Sequence, residues 1–363
     1  MRIFQNSGLY RSYVPRLRAL CAGISDFASL RARFLDDRFG VAHILQPVLH
    51  NDPTAFFTNG DDEILQRAWA REQGIPTTLG MEEILRVQIE AHRTEVFYNL
   101  DPIRYGSAFV RSLPGCVRHS ITWRAAPGQV DMTAYSLVVC NFPAILKTYT
   151  QQGCRTAYFF PAHDPAMDGY AQQQDRPVDV LFAGTYSRHH LRRARLLEVV
   201  AALAPEVSVM MYMDQSRATR IAESPLGLLA PLGRYRRPKA IRRLSRPPVF
   251  GRDLYTALAN SKIVINGAID MAGEERGNMR CWEAMGLNCL MISDSGLYPP
   301  GMIPGESFLT YQSEQEVPGL IVGALRTWEA SRKMADKGHS VVSGPYSKQA
   351  QMQTFNELVA QLS

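Results

Sequence analysis

Gly273-Glu274-Glu275-Arg276-Gly277-Asn278-Met279-Arg280-Cys281-Trp282-Glu283-Ala284-Met285-Gly286 lies between two short apolar runs, 262–266 and 290–293. Runs of that length, punctuated by turn residues, read as buried strands. Asn278 is suited to cap a helix, because its side-chain oxygen can accept from the first free backbone N–H groups. Gly286 suits the left-handed position where a helix stops. The spacing therefore predicts a helix over 279–285, with Arg280 and Glu283 on one face. Glu275 and Glu283 are eight residues apart, about 12 Å along a continuous helix. Both can reach one small ligand only if Glu275 belongs to a preceding loop, and Gly273 and Gly277 predict that loop. The stretch reads as a helix N-terminus that attracts anions, beside a carboxylate that accepts from hydroxyls. The competing reading is an ordinary Arg280–Glu283 surface pair, worth about 0.2–0.5 kcal/mol.

The eight-residue spacing of the two glutamates, the Asn278-x-Arg280-x-x-Glu283 pattern and the flanking strands together resemble the donor-site segment of retaining GT-B glycosyltransferases. The branch it resembles is the CgeB-like (spore maturation protein-like) one of the "glycosyl transferases group 1" type. The resemblance implies that Glu283 holds the ribose of a nucleotide and that Glu275 lies near the donor sugar. The residues themselves give an anion-and-hydroxyl pocket, and a sugar nucleotide carries both groups. One departure stands out: Arg276 follows Glu275 where an aromatic-glycine pair is usual.

At 363 residues the chain is long enough for two domains, since single cores stop growing at about 250–300 residues. With 46% hydrophobic and 20% charged residues, its composition is that of a globular protein. No run approaches the roughly 18 apolar residues of a membrane helix. The first residues lack the apolar core of a signal peptide, which predicts a cytoplasmic protein. The six cysteines show no C-x-x-C spacing, so buried thiols are expected rather than zinc ligands or disulfides. The net charge is +6, and seven basic residues between Arg234 and Arg246 supply it without an intervening acid. Removing them leaves about −1, which argues against the broad basic footprint of a nucleic-acid binder. That segment has three open readings: a solvated insertion, a patch for anionic lipid at the inner face of a membrane, or a site for a polyanionic acceptor.

Working outward in both directions, strands and helices alternate. Residues 1–10 begin with a short strand-like start followed by a small glycine loop at 6–10, and 41–50 read as a strand running into a loop. An amphipathic helix over 81–93 leads to a strand at 95–100, which ends at Asp101 before Pro102. Ligands of open α/β sheets collect outside such strand ends. Asp101 is therefore a candidate acceptor-side base or hydroxyl-orienting group, set against a plain turn cap. Further strands are expected at 116–123, 136–140 and 156–160. The last leads to Pro161-Ala162-His163-Asp164-Pro165, which resembles the GT-B passage into the hinge. The resemblance puts His163 near the cleft; as a lone histidine it reads equally as a packing residue.

Residues 178–182 open a second α/β series, and Ala183-Gly184-Thr185-Tyr186-Ser187 reads as a glycine turn before a helix. The first turn of that helix carries Arg188, His189, His190, Arg192 and Arg193. Positive charge is unfavourable at a helix N-terminus unless an anion neutralises it. Gly184, Arg188 and Arg192 are accordingly candidates for a diphosphate, with Asn278, Arg280 and Glu283 completing the nucleotide set.

The alternation alone predicts an α/β protein. The resemblance specifies GT-B: two Rossmann-like domains facing across a cleft, with the C-terminal helix crossing back. The expected boundaries are 1–165 for the acceptor side, 166–176 for a linker, 177–345 for the donor side and 346–363 for the returning helix. The implied activity moves a sugar from a nucleotide-activated donor to an acceptor hydroxyl on a glycan or similar acceptor. It is expected to retain configuration and to need no metal and no cofactor beyond the nucleotide-sugar co-substrate. Asp101, His163 and Glu275 are the catalytic candidates. The rivals are a GT-B-type sugar-nucleotide epimerase or phosphorylase, a non-catalytic nucleotide-sugar binder, and, through 234–246, a nucleic-acid binder.

Overall fold

The structure, a computed structural model, describes residues 1–362 except 77, 187–190, 229–234 and 268–272. The chain forms two compact units, one of residues 1–162 with 346–363 and the other of residues 163–345.

The first unit is built on six strands: β1 (Ile3–Asn6), β2 (Ala55–Thr58), β3 (Val96–Asn99), β4 (His119–Trp123), β5 (Leu137–Cys140) and β6 (Thr156–Tyr158). They form one sheet in the order β2-β1-β3-β4-β5-β6, parallel throughout. Such a sheet is covered on both faces, and its strands are buried along almost their whole length, polar residues such as Gln5, Asn6 and Asn99 included. On one face Phe4 and Phe97 pack with Leu85, Ile89 and Phe109. On the other, Ile3, Tyr98, Ile121 and Val139 meet Phe355, Leu358 and Val359 from the C-terminal helix Lys348–Ala360. Each large apolar side chain buried this way contributes about 1.5–3 kcal/mol.

Residues 41–50 are not the expected strand. They form a 3-10 turn, Val41–His43, and a short helix, Gln46–Leu49. The Gln5 side chain occupies the backbone here, donating to the His43 carbonyl at 2.8 Å and accepting from Leu45 N–H at 3.0 Å. Those two groups are then unavailable to a neighbouring strand. The strand that does form, β2, is only Ala55-Phe56-Phe57-Thr58 and gives no readable period.

The second unit repeats the plan with β7 (Val178–Thr185), β8 (Val209–Asp214), β9 (Ser245–Arg246), β10 (Ser261–Ile265), β11 (Leu290–Asp294) and β12 (Leu309–Tyr311). Its order is β12-β11-β10-β7-β8-β9, again parallel. Counted within the unit this is 3-2-1-4-5-6 read from the β9 edge, the doubly wound Rossmann order whose connections reverse between the first and fourth strands. The reversal falls between β7 and β10. In the first unit it falls between β1 and β3. The crevices outside the carboxyl ends of those strand pairs are where ligands of such sheets bind.

Five of the six cysteines are buried and Cys116 is half-buried, all as free thiols. No helix among the described residues is long and apolar enough to cross a membrane.

Candidate functional site

The helix Met279–Gly286 starts at the carboxyl ends of β7 and β10. Asn278 caps it, accepting from Arg280 N–H at 3.1 Å. Its amide also donates to Asn266 Oδ1 at 3.0 Å. Asn266 follows β10 directly and donates in turn to Ser293 Oγ of β11 at 3.1 Å. The cap is thus tied to two strands, which fixes the direction of the first free amides. Arg280 Nη2 donates to the Ala183 carbonyl of β7 at 3.1 Å, while Nη1 pairs with Glu283 at 2.7 Å. Both side chains are mostly covered, with 17% and 15% exposed. Burial pushes the Glu283 carboxyl above the ordinary glutamate range, and Arg280 opposes that shift. A guanidinium, a carboxylate and a capped helix N-terminus therefore converge at the β7/β10 reversal.

Glu275 lies in the loop, as its spacing requires. The backbone on either side of it is clamped to the loop after β11: Leu297 N–H donates to the Glu274 carbonyl at 2.8 Å and Arg276 N–H to the Leu297 carbonyl at 2.7 Å. Gly296 permits this approach, since a Cβ there would lie 2.4 Å from the Glu274 carbonyl oxygen. Arg276, whose presence departs from the usual pattern, now has a structural account. Its guanidinium pairs with Asp294 at the end of β11 at 2.5 Å, both side chains 8% exposed, and donates to the carbonyls of Gly273 and Glu275. It is an internal strut for the loop that carries Glu275.

Other expected positions sit differently. β7 runs on through Thr185, so Gly184 is strand rather than turn. Its missing side chain is explained by the Phe182 ring, which a Cβ would meet at 2.9 Å. The following helix spans Leu191–Ala202, and Arg188 lies outside the described residues. Arg192 is committed to Glu314 at 3.2 Å and to the Gln312 carbonyl at 3.3 Å, beside β12. Its neighbour Arg193 instead reaches the Gly267 carbonyl after β10 at 2.6 Å. The one-residue difference turns the side chain by about 100° around the helix, which charge counting alone does not resolve.

His163 is not brought together with the Asn278 cap. Its ring is 2% exposed and lies against Gly286, where a Cβ would come within 2.9 Å of Nδ1. That is the far end of the helix, about 12 Å from the cap. The same contact corrects the reading of Gly286 as the left-handed stop. Gly286 is helical, and Asn288 takes the positive φ of 56°. Small size, rather than backbone freedom, accounts for the glycine.

In the first unit Asp101 follows β3 at its reversal point. Its carboxylate packs against Gly8, where a Cβ would meet Oδ2 at 2.9 Å, and pairs with Arg104 at 3.6 Å. Asp61, not among the candidates named from the sequence, stands in the same group. It accepts from Leu9 N–H at 3.0 and 3.1 Å and lies 3.8 Å from Arg104. Burial raises both carboxyls above the usual aspartate range. Asn6 and Asn99 support them: the two amides bond at 2.9 Å, Asn6 accepts from Gly60 N–H, and Asn99 accepts from Asp101 N–H. The signal for Asp61 was Asn59-Gly60-Asp61-Asp62 directly after a strand, hidden because β2 itself was unreadable.

In the basic segment, Arg237 is buried in an ion pair with Glu223 at 2.7 Å. Lys239, Arg243 and Arg246 are exposed, and Arg234 lies outside the described residues.

Residues 192–357 match a family model described as glycosyl transferase-like. No curated protein matches the chain. Among solved structures, Anabaena HepE in complex with UDP and glucose is similar at a TM-score of 0.59 and 14% identity, over 99% of this chain and 100% of that one. A glycosyltransferase from Rickettsia africae follows at 0.57 and 11% identity, covering 99% and 98%. Sucrose-phosphate synthase from Thermosynechococcus elongatus is similar at 0.55 and 13% identity, also covering 99% and 98%. The fold these likenesses establish is GT-B.

Proposed function

From a GT-B chain that carries a glycosyl transferase-like domain, we propose that this protein transfers a sugar from a nucleotide-activated donor to an acceptor hydroxyl. The observation that carries the reading is the Arg280–Glu283 pair, held to the end of β7 beside the capped helix N-terminus. That group offers what a nucleoside diphosphate asks for: positive potential for the pyrophosphate and a carboxylate for the ribose hydroxyls. HepE, whose fold is similar, was solved with UDP-glucose, and a UDP-sugar is accordingly the first donor to test here. The CgeB-like branch is the finer part of the same reading.

In the reaction the bond between the anomeric carbon and the diphosphate oxygen breaks, and that oxygen keeps the electron pair. A new bond forms from the acceptor oxygen to the anomeric carbon. Stabilising the charge on the leaving diphosphate is the largest catalytic contribution. Arg280 and the Asn278 helix N-terminus are assigned that work, so transfer proceeds without a divalent metal. Glu275, held by the Arg276 strut, faces the donor sugar in this reading, and configuration is retained. On the acceptor side Asp101 orients the hydroxyl or takes its proton, with Asp61 beside it. The exposed basic residues of 235–246 make a peripheral contact with anionic lipid, which brings the enzyme to the inner face of a membrane.

A donor panel followed by Glu283→Ala tests the proposal. Slow release of nucleoside diphosphate without acceptor, accelerated by acceptor and lost in the folded variant, is the expected result. Conversion of the donor to an epimer, or nucleotide binding with no turnover, would overturn it.

A further inference from the structure

Within the second unit, away from the Asn278 cap, three ligand-bearing side chains converge. His163 Nε2 lies 2.7 Å from Asp168 Oδ1, and His339 Nε2 lies 3.1 Å from the same oxygen. All three atoms fall within 4.8 Å of one another. The two imidazoles stand nearly perpendicular, at 83° with centroids 5.5 Å apart, and both bring Nε2 to the same carboxylate oxygen. We propose that His163, Asp168 and His339 form a binding site for a divalent transition metal ion of the zinc class.

Four physical points support the site. First, two imidazoles and one carboxylate are a donor set suited to zinc, cobalt or nickel. Second, tetrahedral coordination at 2.0–2.2 Å puts ligand atoms about 3.3 Å apart, so each short separation must open by less than about 1 Å. Asp168, half-exposed, is free to make that adjustment. Third, the cluster carries an uncompensated charge. Among the described residues no lysine or arginine pairs with Asp168, whose ionic partners are the two histidines. Fourth, the ligands are carried on or beside packed elements: Asp168 on the helix Ala166–Ala171, His339 on the helix Trp328–Ser343, and His163 three residues before the former.

The position gives the ion a use. His163 is the first residue of the second unit, and His339 comes six residues before its last, Pro345. A bound ion would fasten the segment where the chain enters that unit to the helix by which it leaves. Three protein ligands leave a fourth position for water. His163 Nδ1 is buried with no hydrogen-bond partner among the described residues. Ligand histidines ordinarily gain about 10–100-fold in affinity from such a partner, which places this site in a moderate-affinity class.

The full-length protein, stripped with chelator and titrated with Co²⁺, tests this. Expected are one ion per chain, weak visible d–d bands without intense thiolate charge transfer, displacement by Zn²⁺, and a raised Tm with Zn²⁺. Asp168→Asn and His339→Ala, both shown folded by circular dichroism without metal, should each weaken binding at least about tenfold. No binding at excess metal, equal binding in both variants, or thiolate bands from the cysteines would overturn the site.

Discussion

The two units share one architecture but set different charges at their two reversal points. At the β1/β3 reversal the side chains are Asn6, Asn99, Asp61 and Asp101, with Arg104 paired to both carboxylates. At the β7/β10 reversal they are Arg280, Arg193 and the Asn278-capped helix start, with Glu283 for balance. One crevice offers acceptors for hydroxyl protons; the other offers donors and positive charge for an anion. Parallel sheets place the site by topology, and the residues at the strand ends choose its chemistry. A duplicated scaffold can thereby serve two unlike substrates of a single reaction.

Each half of that contrast can be broken separately. Asp101→Asn should lower turnover by about 10²–10⁴-fold, the usual worth of a proton-transferring side chain. Donor affinity should hold, and equal loss of both in steady-state kinetics would remove Asp101 from the acceptor side. Arg276→Ala takes the paired guanidinium from the buried Asp294 carboxylate, which should cost about 3–5 kcal/mol in denaturant unfolding. The matching double variant with Asp294→Asn should recover part of that loss.

Glu283 sharpens the donor half. Its carboxyl is raised by burial, so the group protonates at a higher pH than an ordinary glutamate and there becomes a weaker acceptor for the proposed ribose contact. Nucleoside diphosphate affinity should therefore fall as pH falls through that raised value. Glu283→Gln should bind about 1.5–3 kcal/mol more weakly at neutral pH and show a flat profile in calorimetry over the same range. The smallest effect expected is from Asn278→Ala. Loss of the cap should cost about 1 kcal/mol of stability, read as a modest shift in Tm.

Most of the scaffold was legible because strands buried on both faces announce themselves as apolar runs. β5, β10 and β11 fall within a residue or two of where those runs lie, and the loop position of Glu275 follows from helical rise alone. Legibility failed where a distant side chain decided the outcome. The Gln5 amide withdrew 41–50 from the sheet. Phe182 and His163 claimed Gly184 and Gly286 as space rather than as turns. Arg192 and Arg193 were indistinguishable by charge, and only the helix's rotation separated the one held by Glu314 from the one at Gly267. Arg276 looked like a defect in the pattern until Asp294 supplied its partner.

The helix Lys348–Ala360 supplies Phe355, Leu358 and Val359 to the core of the unit that begins at Met1. On the ribosome, the first half to emerge is therefore the last to be finished: its apolar seat waits, uncovered, through synthesis of the whole second sheet. A nascent chain stalled anywhere before that helix would offer chaperones an open surface. Emergence of residues 348–360, rather than of residue 162, sets the moment at which that unit can close its interior.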